Sequence, residues 1–391
     1  MKLKLSKIGL LPRIIIAIIL GVLCGMFFPE WSVRCFVTFN SVFSHFLSFL
    51  IPLIILGLVT PAIADIGKGA GRLLLITALI AYGDTVFSGF MSYFTSTGIF
   101  PALIDRSQAA MAVATADELQ PFFTIEIPPL LDVMSALITA FVMGLGISFF
   151  ESTQLKQAFD EFRDIIAKTI EVALIPILPL YIFSIFLNMS FTGQAWRIIN
   201  VFIAIIGVIF VMHVFLLVLQ YMVAGAISRR NPFRALYNML PAYFTALGTS
   251  SSAATIPVTL KQVKKNGVSD GIAGFVVPLC ATIHLSGSAM KITACAVALL
   301  LMQGGSIDIA HFTGFILMLG VMMVAAPGVP GGAIMASLGV LQSILGFTAD
   351  QQAVMIALYI TMDSFGTACN VTGDGAIALI VDRVYGVKHK K

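Results

Sequence analysis

The chain is 391 residues long, 59% hydrophobic and 11% charged, with a formal net charge of +4 and a mean hydropathy of +1.00. A soluble domain carries about 25% charged residues and roughly 45–50% apolar ones, so this composition excludes an ordinary water-soluble fold. The small positive excess gives no basis for a nucleic-acid partner and fits basic loops on one side of a lipid bilayer.

Apolar runs such as 8–28, 199–226 and 271–303 are long enough for a helix to cross a bilayer, which takes about 20 residues. Their continuity excludes a β-barrel, whose strands alternate apolar and polar residues. The sequence therefore predicts an all-α polytopic membrane protein, with the lipid bilayer as its first partner. The first run imitates a signal peptide, but it is too long and lacks a small-residue cleavage site, so it reads as a spanning helix. Further spans are expected at 35–63, 73–97, 129–150, 166–190 and 199–226. Residues 101–128 read as an external connector, and 151–168 as an amphipathic cytoplasmic linker helix. The five cysteines show no C-x-x-C spacing, which argues against a disulfide framework or a zinc site.

The last part of the chain differs. Segments 236–260, 271–303, 311–347 and 352–381 are interrupted by SSSAATIP, HLSGS, PGVPGG and NVTGDG. With both termini in the cytoplasm, 19 of the 23 basic residues fall on the cytoplasmic side, as the positive-inside rule requires. That balance holds only if 236–260 enters and leaves on one side, with its tip at the serines, and 311–347 enters from the other, with its tip at PGVPGG. Irregular backbone at membrane depth survives only where protein or a water-filled cavity satisfies its polar groups. Two such tips meeting near the midplane would line a transport site.

SSSAATIP, AAPGVPGGAIMAS and above all NVTGDGAIALIVDR resemble the sodium:dicarboxylate/amino acid symporter family, the glutamate transporter homologues. The resemblance is sharp over 240–385 and runs through the whole chain in segment order. It implies eight transmembrane helices plus two re-entrant helical hairpins, built as inverted repeats, in a homotrimer of the inner membrane. It also implies an elevator mechanism. Scaffold helices 1–2 would lie in 1–72, transport-domain helix 3 in 73–100, scaffold helices 4–5 and transport-domain helix 6 in 101–230, and the transport core in 231–391.

The first tip, Ser250, Ser251 and Ser252, offers hydroxyls and helix N-terminal N–H groups, which attract a carboxylate; in the family it holds the substrate's α-carboxylate. Serines capping their own helix are the plainer reading of these residues. At the second tip, Gly328, Val329 and Pro330 allow a sharp turn, which is the extracellular gate in the family. Asp363, Thr367, Asn370 and Asp374 fall on one helical face, and a carboxylate inside a spanning helix marks a functional site by default. By resemblance, Asp363 holds a substrate ammonium, Thr367 and Asn370 complete the substrate site, and Asn370 and Asp374 bind sodium with Thr282.

Three departures matter. Relatives that carry acidic substrates have an arginine between the matches to Asp363 and Thr367, where this chain has Gly366. Without that planar reader of a second carboxylate, a neutral amino acid or related carboxylate is the expected small-molecule substrate. The family's Asn-Met-Asp-Gly-Thr break is replaced by His284, Leu285, Ser286, Gly287 and Ser288. Helix-3 hydroxyls are replaced by Ile80 and Ala81. Positive charge returns as Lys291, with Asp374 or Asp363 as counter-ion, and His284 and Asp84 add titratable groups. Protons then compete with sodium as the coupling ion, and no cofactor is expected. A lysine that snorkels and a histidine with a purely structural bond are the plain alternative. A sodium-coupled dicarboxylate or acidic amino acid symporter and an anion channel remain as alternatives. A membrane serine hydrolase would need a G-x-S-x-G elbow, and the sequence has none.

Overall fold

Backbone surrounded by hydrocarbon must satisfy its own hydrogen bonds, so continuous apolar runs become helices. The computed structural model describes residues 10–67, 72–104, 119–150, 152–193, 195–305, 307–326 and 330–386, and every regular element among them is helical. The order is α1 (Leu10–Gly25), α2 (Glu30–Gly67), α3 (Arg72–Leu103), α4 (Val133–Phe150), α5 (Thr153–Thr169), α6 (Ile175–Phe191), α7 (Ala195–Ser228), α8 (Pro232–Thr249) and α9 (Ser252–Lys265). Then follow α10 (Asp270–Ile283), α11 (Ser286–Met302), α12 (Ile309–Ala325), α13 (Gly332–Leu345), α14 (Ala349–Thr361) and α15 (Asp363–Gly386). By length and composition, five described helical segments can cross a membrane, or six if α14 and the bent continuation α15 count as one span. The shorter α1, α4, α12 and α13 are also apolar.

The helix expected over 151–168 is α5, and it continues through a π-turn at Ile170–Leu174 into α6, so that Thr153–Phe191 forms one long helical segment. Its charges stay on one side, where Asp160 pairs with Arg163 at 3.0 Å and with Lys156 at 3.8 Å. One expectation needs correction: NVTGDG is not an interruption, since α15 passes straight through it. Its glycines serve close approach: a Cβ on Gly373 would stand 2.8 Å from His284 Cε1, and one on Gly375 2.9 Å from Met239 Cε. The break falls at Met362, where α14 and α15 meet at 63°.

α1 lies along α6, α2 along α4, and α3 along α11, while α15 packs on α7, α8, α10 and α11. The buried face of α3 is small or hydroxylated (Ala78, Ala81, Thr85, Ser88, Gly89, Ser92), which lets two helices approach closely and hydrogen-bond in hydrocarbon. Ser88 donates to the carbonyl of Ser286 and Ser92 to that of Met290, each at 2.8 Å. These bonds hold α3 against the start of α11.

Two pairs of helices fold back on themselves, α8 on α9 and α12 on α13. The first turn is made by Ser250, a non-glycine residue at φ 51°, and Ser251, whose hydroxyl caps α9 by accepting the Ala254 N–H at 3.3 Å. At the second, Gly331 adopts φ +76°, a left-handed conformation that favours glycine, and α13 begins.

Candidate functional site

The break between α10 and α11 leaves the first N–H groups of α11 without partners inside their own helix. Asn370 supplies one from α15: its Oδ1 accepts the N–H of Gly287 at 2.8 Å and that of Ser288 at 3.3 Å, and its Nδ2 donates to Ser288 Oγ at 3.1 Å. Tyr359 donates its hydroxyl to the same Ser288 Oγ at 2.9 Å. His213 of α7 reaches the Gly287 carbonyl through Nε2 at 3.1 Å. Gly287 must be small, because a Cβ there would meet Cys369 Cβ at 2.7 Å and the Gly366 carbonyl at 2.9 Å.

His284 stands in the break, wholly buried between two carboxylates. Its Nδ1 is 2.9 Å from Asp374 Oδ1 and its Nε2 is 2.7 Å from Asp84 Oδ2. Each of these contacts needs one hydrogen between nitrogen and oxygen. A neutral imidazole carries only one N–H, so both contacts are hydrogen bonds at once only when the three residues share a proton beyond a neutral histidine flanked by two ionised aspartates. Gln220 of α7 completes the cluster, donating to Asp84 Oδ2 at 2.6 Å and to Ser286 Oγ at 3.1 Å.

One and a half turns further along α11, Lys291 is fully buried. Its Nζ donates to the Met362 carbonyl at 3.1 Å, lies 3.7 Å from Asp363 Oδ1, and sits 3.7 Å from the centroid of the Tyr359 ring. That carbonyl also accepts the Gly366 N–H at 3.1 Å, so the ammonium is a second donor to it beside the bend. Gly366 makes room, since a Cβ there would come within 2.5 Å of Nζ.

The two hairpins converge on the first turn of α15. Ser250 Oγ is hydrogen-bonded to Ser364 Oγ at 2.7 Å, and the Gly331 N–H donates to Asp363 Oδ2 at 3.0 Å. The serine tip and the glycine–proline tip therefore touch neighbouring residues.

The structure thus brings Ser250, Asp363, Lys291, Asn370, Asp374, His284 and Asp84 into one connected polar centre. Ser252 is buried at the head of α9 and Pro330 half-buried beside Gly331, whereas Gly328 and Val329 lie outside the described residues. Thr367 is buried but spends its hydroxyl on the Asp363 carbonyl at 3.0 Å. Thr282 is not part of the centre: it is exposed, and its hydroxyl donates to the Leu279 carbonyl at 2.7 Å, a local bond that competes with any ligand role. Of the two counter-ions open to Lys291, Asp363 is the one it meets, and Asp374 belongs to His284. Of the oxygens expected to bind sodium, Asn370 Oδ1 accepts the Gly287 and Ser288 N–H groups, and Asp374 Oδ1 lies against His284 Nδ1.

Sequence reading missed Gln220, set His213 aside as a structural histidine, and missed Tyr359 and Ser364. A signal existed for the first two: they are the polar residues seven apart in a long apolar run, an offset that puts both on one helical face.

The profile of the sodium:dicarboxylate symporter family matches residues 10–384. The serine/threonine transporter SstT of Acinetobacter baylyi is 26% identical over 97% of this chain and 98% of its own length. The protein of the same name from Acinetobacter baumannii is 25% identical over 96% of this chain and 97% of its own length. Neutral amino acid transporter B(0) of Mus musculus is 31% identical over 40% of this chain and 29% of its own length.

Proposed function

The chain belongs to the sodium:dicarboxylate symporter family, and from that premise we propose that it is a secondary active transporter carrying a small neutral amino acid, or a related carboxylate, by cation symport. It is a multi-pass membrane protein, and its similar proteins are transporters of serine and threonine and of neutral amino acids. The observation that carries the reading is the meeting of both hairpin tips on Asp363 and Ser364. Opposed half-helices closing on a carboxylate and two hydroxyls make a place for a zwitterion. The serines at 250–252 would hold its carboxylate. Its ammonium would displace Lys291 from Asp363. The tip at 328–330 would close over it, with Thr367 and Asn370 behind. Gly366, in place of an arginine, leaves no bidentate partner for a second carboxylate.

The coupling ion in this reading is a proton. What supports this is His284, which stands between Asp84 and Asp374, where an imidazole can take up and release a proton. Releasing its extra proton turns a nitrogen lone pair toward a carboxylate and weakens one of the ties between α15 and the α10–α11 break. The wider arrangement follows the family: scaffold helices at 1–72 and in 101–230, a moving core at 73–100 and 231–391, re-entrant hairpins, a homotrimer in the inner membrane, and both termini in the cytoplasm.

Uptake of radiolabelled serine and threonine into proteoliposomes tests this. An inwardly directed pH gradient is expected to drive uptake without sodium, and His284→Gln to abolish that drive. Uptake that needs sodium and ignores the pH gradient would return the protein to the sodium-coupled reading. Saturable dicarboxylate uptake with no amino acid uptake would overturn the substrate assignment.

A further inference from the structure

Away from the hairpins, α3, α7 and α15 enclose a cleft of about 410 Å³ lined by Ile80, Gly83, Phe87, Val223, Ile377 and Ile380, among others. That volume is within the range of small-molecule sites, about 300–1,000 Å³. The walls are hydrocarbon. Phe87 and Val223 at its edge are 47% and 46% exposed, so the cleft opens toward lipid. Its floor is polar, formed by Asp84, Gln220 and Gly373.

Among the described residues, two acceptors at that floor have no donor. Both hydrogen bonds described for Asp84 land on Oδ2, which leaves Oδ1, on a side chain that is 18% exposed. Gln220 is 7% exposed, and its Oε1 has no hydrogen-bond partner. A buried carbonyl left without a donor costs about 1–3 kcal/mol. That Oε1 is itself buried, just behind the floor beside Gly373, where an added Cβ would stand 3.0 Å from it. An apolar tube ending on one free carboxylate oxygen and one free amide oxygen matches a molecule with a hydrocarbon tail and a cationic head that carries N–H donors.

We propose that this cleft binds a lipophilic primary amine, with its ammonium donating to Asp84 Oδ1 and Gln220 Oε1 and its chain lying between α3, α7 and α15. The head bonds use atoms that the His284 cluster leaves spare, so binding keeps both Oδ2 contacts. The amine must be a free one. Asp84 lies twelve residues into α3, about 18 Å along it at 1.5 Å per residue, deeper than the ammonium of an aminophospholipid held at headgroup level.

The experiment compares n-octylamine, n-octanol and n-octyltrimethylammonium as ligands of the full chain in dodecyl maltoside micelles, read as the shift in Tm with concentration. Octylamine is expected to give a saturable rise. The alcohol lacks the charge and the quaternary amine lacks N–H donors, so neither should. Val223→Trp, which fills the lipid side of the cleft, should remove the octylamine response and leave serine uptake intact. Gln220→Met should weaken octylamine binding at least about tenfold, since it deletes the Oε1 acceptor and also strips Asp84 Oδ2 and Ser286 Oγ of their Gln220 donor. Equal shifts from octanol, an unsaturable response, or undiminished octylamine binding in either variant would overturn the proposal. Should Val223→Trp fail to fold, the three-ligand comparison on the unaltered chain decides alone.

Discussion

Lys291→Met removes the ammonium that faces Asp363 and keeps the length of the side chain. At 3.7 Å the direct attraction is about 4.5 kcal/mol with an effective dielectric of about 20. Removing one partner of a buried pair costs about 3–5 kcal/mol, because the other charge stays behind in a dry site. The ammonium over the Tyr359 ring adds about 2 kcal/mol when desolvated, a contribution that a methionine thioether replaces in part. The single substitution is therefore expected to destabilise by about 3–5 kcal/mol. The double substitution Lys291→Met with Asp363→Asn deletes both charges and should recover most of that loss, because the orphaned carboxylate is the chief penalty. An isolated buried carboxylate also escapes its cost by taking up a proton, so the single variant's deficit should be greater in alkaline than in acidic buffer. Equilibrium unfolding in mixed micelles, run as a double-mutant cycle, reads all three. A single variant as stable as the parent, or a double variant whose loss equals the sum of the singles, would show that the pair is not coupled and would refute the reasoning.

Four more substitutions, at three positions, probe the same centre. Gly287→Ala drives a methyl into Cys369 and the Gly366 backbone and should cost at least about 1–3 kcal/mol by overpacking, visible as a lower Tm; an unchanged Tm would mean that α11 and α15 do not approach as described. Asn370→Ala strips the cap shared by the Gly287 and Ser288 N–H groups and should cost about 0.5–2 kcal/mol, with faster amide exchange at the start of α11 as its signature. Tyr359→Phe loses the bond to Ser288, about 0.5–1.5 kcal/mol, and keeps the ring under Lys291. Tyr359→Leu should lose more, and equal losses would argue against the cation–π contact.

Much of the architecture was legible because the bilayer narrows the choices: a long apolar run has few options besides a helix. The hairpin turns were legible because serine and glycine announce them. The bend at Met362 was not, since nothing in YITMDS marks a breaker, while the glycines of NVTGDG, which look like one, instead let His284 and Met239 come close. The pairing of charges was also hidden. His284 and Asp84 are 200 residues apart, and both Asp363 and Asp374 stood open as partners for Lys291. What decides between them is the bend, which delivers the Met362 carbonyl and Asp363 together to one ammonium. Gln220 and His213 were passed over for the opposite reason: a lone polar residue in a spanning helix looks like a satisfied core residue until its partner is known.

The centre's charges follow one order. Asp374 meets His284, Asn370 meets Gly287 and Ser288, and Asp363 meets Lys291. Numbers fall along α15 as they rise through the break and α11, so the two segments run in opposite directions and are tied at three levels. Shifting α15 by one turn would strand two carboxylates and an amide at once, each a buried polar group whose isolation costs kilocalories. The α10–α11 unit and α15 therefore have to move together if they move at all. The hairpin tips differ: they meet α15 at its first turn, through Ser364 and Asp363, and freeing them leaves all three ties in place. The spine and the tips are thus separable: three ties hold α15 to the α10–α11 unit, and one hydrogen bond from each tip holds it to the start of α15.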